Sequence, residues 1–327
     1  MRGPAQSNSS ALGALAACSA LAWCINAALP PYFSSLFLLI GINALLAVSL
    51  NLVNGVAGQF SLGHAGFMAL GAYTAAWLST GPLAALFTGP GISQLGLACT
   101  AAAAALVAGL AGWLVGLPSL RLRGDYLAIV TLGFGEIIRV GLLNSDFLGG
   151  ARGFIGVPPA GGAAWVFGLL ALACLACYRV MESSTGRALL SVREDEIAAE
   201  ALGVDTTRAK VGAFVASAAG AGVAGALFAH LESFIHPSSF NFMKSVEIVV
   251  MVVLGGMGSM SGALLAAVLL TALPEALRPL KELTGVDLRM VLYSLSLVLL
   301  MLYRPRGLMG RSEAWQLRPF RRRGGGG

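Results

Sequence analysis

The chain has 327 residues, of which 57% are hydrophobic and only 11% charged. Soluble domains run to roughly 45–50% apolar and about 25% charged residues, so 21 bases and 15 acids cannot wet the surface of a chain this size. With a mean hydropathy of +0.80, a soluble enzyme, a disordered chain and a disulfide scaffold are excluded.

A spanning helix needs about 20 mostly apolar residues. Such stretches occur at 12–29, 34–53, 60–78, 95–117, 126–143, 163–180 and 211–231. Three shorter ones follow at 245–260, 262–277 and 288–303. The expected fold is all-α: a polytopic integral membrane protein of about ten transmembrane helices with glycine-rich breaks. The eighth and ninth segments flank the run from Gly255 to Gly262 and form either two spans or one re-entrant hairpin. The first segment begins near Arg2, and Leu15-Ala16-Ala17-Cys18 looks like a lipoprotein cleavage box. Few apolar residues precede that box, and the apolar run continues to Leu29, so a retained helix is expected. The five cysteines lie in apolar stretches. Cys174 and Cys177 are read as small residues on one helix face rather than a redox pair.

Orientation follows from the bases. With a cytoplasmic N-terminus, the inner side collects Arg2, Arg121, Arg123, Arg179, Arg187, Arg193, Arg208, Lys210 and the arginines from 304 to 323. The outer side collects only Arg152, Lys244, Arg278, Lys281 and Arg289. Both termini are therefore expected in the cytoplasm. The net charge of +6 is an orientation signal, and no nucleic-acid partner is expected. The chain divides into a transmembrane domain at 1–308 and a basic cytoplasmic tail at 309–327.

The longest cytoplasmic loop, 181–209, carries mixed charge. Residues 186–202 hold Leu189, Val192, Ile197 and Leu202 at helical spacing and lack proline, which predicts one amphipathic helix at the membrane surface. Anionic lipid prefers bases alone, so the mixed charge suits a protein partner.

Two glycine-rich breaks echo one another. One runs from Asn54 to Gly66 and the other from Gly255 to Gly262. Both are expected on the cytoplasmic side between adjacent helices. Paired interruptions in corresponding places point to a transport pathway.

Several chemistries are missing. No lysine follows a glycine, so there is no GxxxxGK[ST] phosphate loop. The histidines form no HExxH and no metal-ligand cluster, and no cofactor is expected. Within the membrane, Glu136 and Arg139 share one helix face, either as a polar lining or as a structural ion pair. His64 sits in the first break, as a lining group or as a helix cap. So few buried carboxylates leave a proton or sodium relay without its usual groups. That favours a permease energised by another chain.

Four stretches together resemble the LivM-type permease subunit of the branched-chain amino-acid ABC importers. The first runs from Leu50-Asn51-Leu52-Val53-Asn54-Gly55 through Gly58-Gln59-Phe60-Ser61-Leu62-Gly63-His64 to Ala75. The second runs from Leu120-Arg121-Leu122-Arg123-Gly124-Asp125 through Thr131-Leu132-Gly133 to Glu136-Ile137-Ile138-Arg139. The third runs from Gly186-Arg187 through Arg193-Glu194-Asp195-Glu196 to Leu202-Gly203-Val204. The fourth is Val253-Leu254-Gly255-Gly256-Met257-Gly258-Ser259 with the ending Tyr303-Arg304-Pro305-Arg306. They cover most of the chain from Leu50 to Leu308 in the family's order.

The resemblance implies an importer in the bacterial inner membrane. Its partners would be a second, LivH-type permease subunit, two cytoplasmic ABC ATPase subunits and a periplasmic solute-binding protein. The stretch from Ile197 to Gly203 is similar to the EAAxxxG coupling pattern of such importers, with Ile where Glu is usual. By resemblance, Arg187, Arg193, Glu194, Glu196, Glu200 and Gly203 would couple to the ATPase. The pathway would be lined by Gln59, Ser61, His64, Thr131, Glu136, Arg139, Gly255, Gly256 and Gly258. The outer loop at 148–158 keeps the family's glycine-rich turn but lacks its asparagine. Substrates in this broad group include branched-chain amino acids, urea, amides and aromatic acids. A self-sufficient secondary carrier is the alternative from another class, and an intramembrane enzyme is disfavoured by the missing paired acids.

Overall fold

A computed structural model describes residues 30–87, 93–120 and 125–278, with a few positions between 294 and 310. The expected spans at 12–29 and 288–303, the tail and the position of both termini lie outside the described residues, apart from a few positions of the last span and the first two of the tail.

The described chain is helical. Helix α1 is Pro31–Asn51 and continues into one π-helical turn, Leu52–Val56. An irregular stretch then leads to α2, His64–Thr80. Helices α3, Ser93–Ser119, α4, Asp125–Leu143, and α5, Ala163–Glu182, follow. Two short helices, α6 at Ser184–Glu194 and α7 at Glu196–Ala201, precede α8, Thr206–Glu232. Helices α9, Phe242–Gly255, and α10, Met260–Ala276, form a tight hairpin. Two-residue strands β1, Phe154–Ile155, and β2, Phe234–Ile235, pair antiparallel. They tie the α4–α5 loop to the α8–α9 loop at the end of the bundle opposite α6 and α7.

Among the described residues, five helices are long and apolar enough to cross a membrane. Each falls within a few residues of a stretch expected from hydropathy. Helix α1 is apolar all round, as a helix buried on every side should be. It stands at the centre, packed against α8, α10, α5 and α9. Around it, α2, α3 and α8 pack through small residues. A Cβ on Gly71 or Gly225 would strike the backbone of α8 or α2, and one on Gly222 the backbone of α3. Small residues at helix contacts let backbones approach where lipid supplies no hydrophobic drive.

The α9–α10 pair is shorter than two full spans. At 1.5 Å rise per residue, 14 residues make about 21 Å, against a hydrocarbon core of about 30 Å. The single helix expected over 186–202 is two helices. Asp195 takes an extended backbone (φ −156°, ψ 111°), and its carboxylate accepts from the Ile197 and Ala198 amides at 2.9 and 3.0 Å. An aspartate that satisfies free amides in this way starts a new helix rather than continuing the old one. The apolar stripe divides with it. Leu189 and Val192 are buried, whereas Ile197 and Leu202 are 67% and 84% exposed.

Candidate functional site

The two glycine-rich breaks meet. The Asn51 side-chain oxygen accepts from the Gly258 amide at 2.9 Å. A Cβ on Gly55 would collide with both Asn51 and the Gly258 backbone. Gly256 has φ +108° and Gly258 φ +92°, conformations that residues with side chains rarely adopt. The chain returns to this corner near residue 308. The Leu308 and Met309 amides donate to Leu254 and Gly255 carbonyls at 2.7 and 3.2 Å.

Arg193, near the end of α6, closes the same corner. Its guanidinium donates to the Gly55 carbonyl at 3.0 Å and to Glu194 at 2.8 Å. A Cβ on Gly58 would strike its aliphatic stem, and one on Gly258 would touch its guanidinium at 3.4 Å. One side chain therefore bonds to the first break and stands over the second. Helix α7 is held separately: Glu196 pairs with Lys210 of α8 at 2.6 Å, and the Lys210 side chain is only 3% exposed. Arg187 and Glu200 are exposed, and Gly203 ends α7 at φ +84°. Of the residues expected at the coupling surface, Arg193 and Glu196 thus face the helical bundle. Ile197, Leu202 and Glu200 face outward.

The first break reaches inward from this corner. The Ala65 amide donates to the Ser245 hydroxyl of α9 at 3.1 Å. Ser245 stands ten residues before Gly255, so the start of α2 lies about 15 Å above the corner. That is about half the depth of a bilayer core. The break read from sequence as a loop is an irregular segment at 57–63, exposed at Gly58 and Phe60 and buried at Ala57, Ser61 and Gly63, that leads to a helix opening inside the bundle. Irregular backbone at such depth is tolerated only where protein or a cavity surrounds it.

Three side chains satisfy amides from Ser61 to Ala65. Asn54 accepts from Ser61 and Thr131 from Leu62, each at 3.1 Å, and Ser245 accepts from Ala65. His64 is buried at the first position of α2, where its Nε2 meets the Ser49 hydroxyl at 3.0 Å. The Ser49 hydroxyl hydrogen is committed to the Leu46 carbonyl at 2.9 Å, so the histidine donates. His64 is thus a cross-link to α1, not a cap of its own helix. Gln59 is part-buried and bonds through its backbone to Val53 at 3.0 Å. Glu136 and Arg139 form an ion pair at 2.7 Å on α4, each about one-third exposed. A Cβ on Gly66 would strike Gly135, which puts this pair level with the start of α2.

Residue-by-residue reading missed Asn51, Asn54, Ser245 and Lys210 as members of the site. The asparagines were visible as amides in an apolar run. Ser245 and Lys210 gave no local signal, because their partners lie far away in sequence. Among the described residues, no cluster of His, Cys, Asp and Glu is arranged to hold a metal ion.

A profile of the family described as "Branched-chain amino acid transport system / permease component" matches residues 32–302. The high-affinity branched-chain amino acid transport system permease protein LivM of Salmonella typhimurium is 39% identical over 302 residues, covering 81% of this chain and 67% of that protein. LivM of Escherichia coli is 39% identical over 300 residues, with the same coverage of 81% and 67%. The permease protein LivH of Salmonella typhimurium is 26% identical over 290 residues, covering 83% of this chain and 92% of that one. No solved structure matches the chain.

Proposed function

The chain belongs to the branched-chain amino acid permease family, and from that premise we propose that it is the LivM-type pathway subunit of an ABC importer of the bacterial inner membrane. It moves branched-chain amino acids inward. The energy comes from outside the chain, from two cytoplasmic ATPase subunits. A LivH-type permease completes the pathway, and a periplasmic binding protein delivers the substrate. The alternatives of urea, amides or aromatic acids, and of a lone secondary carrier, have no observation in their favour.

The observation that carries the mechanism is the Arg193 bond to Gly55 of the first break, beside Gly258 of the second. Helix α7 offers Ile197 and Leu202 to the cytoplasm on a loop that is otherwise polar. An ATPase groove that grips these two side chains pulls α7 directly and α6 through the Asp195 joint. Arg193 transmits the displacement to Gly55 and Gly258, and the Glu196–Lys210 pair transmits it to α8. The corner formed by the two glycine breaks, joined by the Asn51–Gly258 bond, then moves with them. Helix α2 begins above that corner, so its start, with Ser61, His64 and Thr131 around it, follows.

Two experiments test the reading. A mild-detergent pull-down from the native membrane should bring two phosphate-loop ATPases and a second permease with this chain. Recovery of the chain alone and stable defeats it. Arg193→Glu should cut uptake about tenfold or more while leaving the chain in the membrane, since it sets an acid against the Gly55 carbonyl. Wild-type uptake in this variant and in Ile197→Asp overturns the coupling route.

A further inference from the structure

A second, part-buried ion pair lies near the start of α9. Lys244 and Glu247, one turn apart on α9, meet at 3.1 Å. They flank Ser245, whose hydroxyl caps the start of α2. From sequence, Lys244 counts as an outer-side base and Glu247 as interfacial. The geometry differs. The Lys244 ammonium also donates to Asn43 Oδ1 at 3.2 Å. The Asn43 amide nitrogen in turn donates to the Thr271 hydroxyl of α10 at 2.9 Å. Asn43 stands eight residues before Asn51 on α1, about 12 Å above the glycine corner. Thr271 stands 11 residues beyond Met260 on α10, about 16 Å above it. Lys244 is bracketed at the same depth from α1, α9 and α10.

Ionised groups at that depth cost about 2.5–3.5 kcal/mol each on insertion scales unless paired or facing a cavity. Here they are paired but not sealed: the side chains are 18% and 35% exposed. Asn43 is 2% exposed, and its amide is oriented by Thr271 so that its oxygen meets the ammonium. The cluster is electrically neutral, polar and open on one side. It lies beside the start of α2.

We propose that Lys244 and Glu247 form a mid-membrane subsite for the zwitterionic end of an α-amino acid, with Asn43 holding the lysine in place. This rests on the reading of the chain as an amino-acid pathway. The substrate carboxylate takes the place of Glu247 at the Lys244 ammonium. The substrate ammonium takes the place of Lys244 at the Glu247 carboxylate. One ion pair opens into two, and net charge stays zero throughout. No uncompensated charge is created in low dielectric, so the site is passed quickly and not held tightly, as a pathway requires. A neutral amide or urea offers no such exchange, so the pair selects for zwitterions.

The test uses the assembled transporter in proteoliposomes, with its binding protein loaded with labelled leucine. The readout is leucine moved per ATP hydrolysed. A pair that only braces α9 tolerates the loss of both charges together, because neither is left unpaired. The double variant Lys244→Met with Glu247→Gln removes both. The subsite predicts a fall of about tenfold or more in leucine per ATP. Glu247→Asp keeps the charge and shortens the reach by one methylene, and it predicts a fall of about threefold or more. Ratios within twofold of wild type in either variant overturn the proposal. A wild-type complex that hydrolyses ATP but moves no leucine overturns the amino-acid reading on which it rests.

Discussion

At the scale of single residues, the corner between the breaks depends on what is absent. A methyl group on Gly55 meets Asn51 Oδ1 on its own helix and the Gly258 backbone across the gap. The Gly258 atoms are backbone and the Asn51 oxygen is held by its bond to the Gly258 amide, so neither yields cheaply. Gly55→Ala should cost about 1–3 kcal/mol by overpacking. The midpoint of thermal aggregation, followed by size exclusion in detergent, should fall by several degrees. Gly212→Ala is the control, since a Cβ there meets nothing within 4 Å. An unchanged midpoint for Gly55→Ala would falsify the close approach. Seen in sequence, Gly55 and Gly258 are two small residues in two apolar regions. Their importance was legible only as an echo between breaks. The partners that make it physical, Asn51 and Arg193, sit in other segments.

At the scale of elements, hydropathy located the helices because burial and length leave a periodic or continuous apolar signal. It did not locate the start of α2 in depth. Residues 57–63 are rich in glycine and polar groups, which reads as a surface loop. Ser61 and Gly63 are nevertheless buried, and Asn54, Thr131 and Ser245 take the amide hydrogens of Ser61, Leu62 and Ala65; no short window on the sequence sees Thr131 or Ser245. The break at Asp195 was legible in principle, since aspartate followed by free amides is a cap signal. The apolar spacing through Ile197 and Leu202 outweighed it. The consequence is a lever in two parts, with α7 anchored by Glu196 to a lysine that is 3% exposed. Removing one partner of a buried pair costs about 3–5 kcal/mol when the charge left behind is sealed from water. Glu196→Gln leaves Lys210 in that state. Lys210→Met leaves Glu196, which is 26% exposed and can hydrate. Glu196→Gln should therefore lower the aggregation midpoint more than Lys210→Met, and the reverse order would sink the argument.

At the scale of the whole molecule, two outward faces differ in kind. Helix α3 exposes Leu106, Leu110, Trp113 and Leu114, a purely apolar stripe at helical spacing that lipid tails cover without cost. Helix α4 exposes Tyr126, Ile129, Ile137 and Val140, and Glu136 falls on that same stripe, paired with Arg139 at 2.7 Å. A one-third-exposed ion pair facing hydrocarbon costs several kcal/mol on insertion scales, on the order of 2.5–3.5 per charge before pairing. Protein or a water-filled path between two proteins removes that cost. Helix α4 also packs against α2 and α9, so its outer face continues the surface that carries the Lys244–Glu247 pair. The proposed pathway between two permease chains is therefore expected along α4, with lipid along α3. In a cysteine-free background, Ile137→Cys should form cross-links to the second permease subunit with a short bismaleimide, and Leu110→Cys should not. Cross-linking at Leu110 with none at Ile137 would move the partner to the opposite side. The two charge pairs would then face lipid, an arrangement the insertion cost rules against.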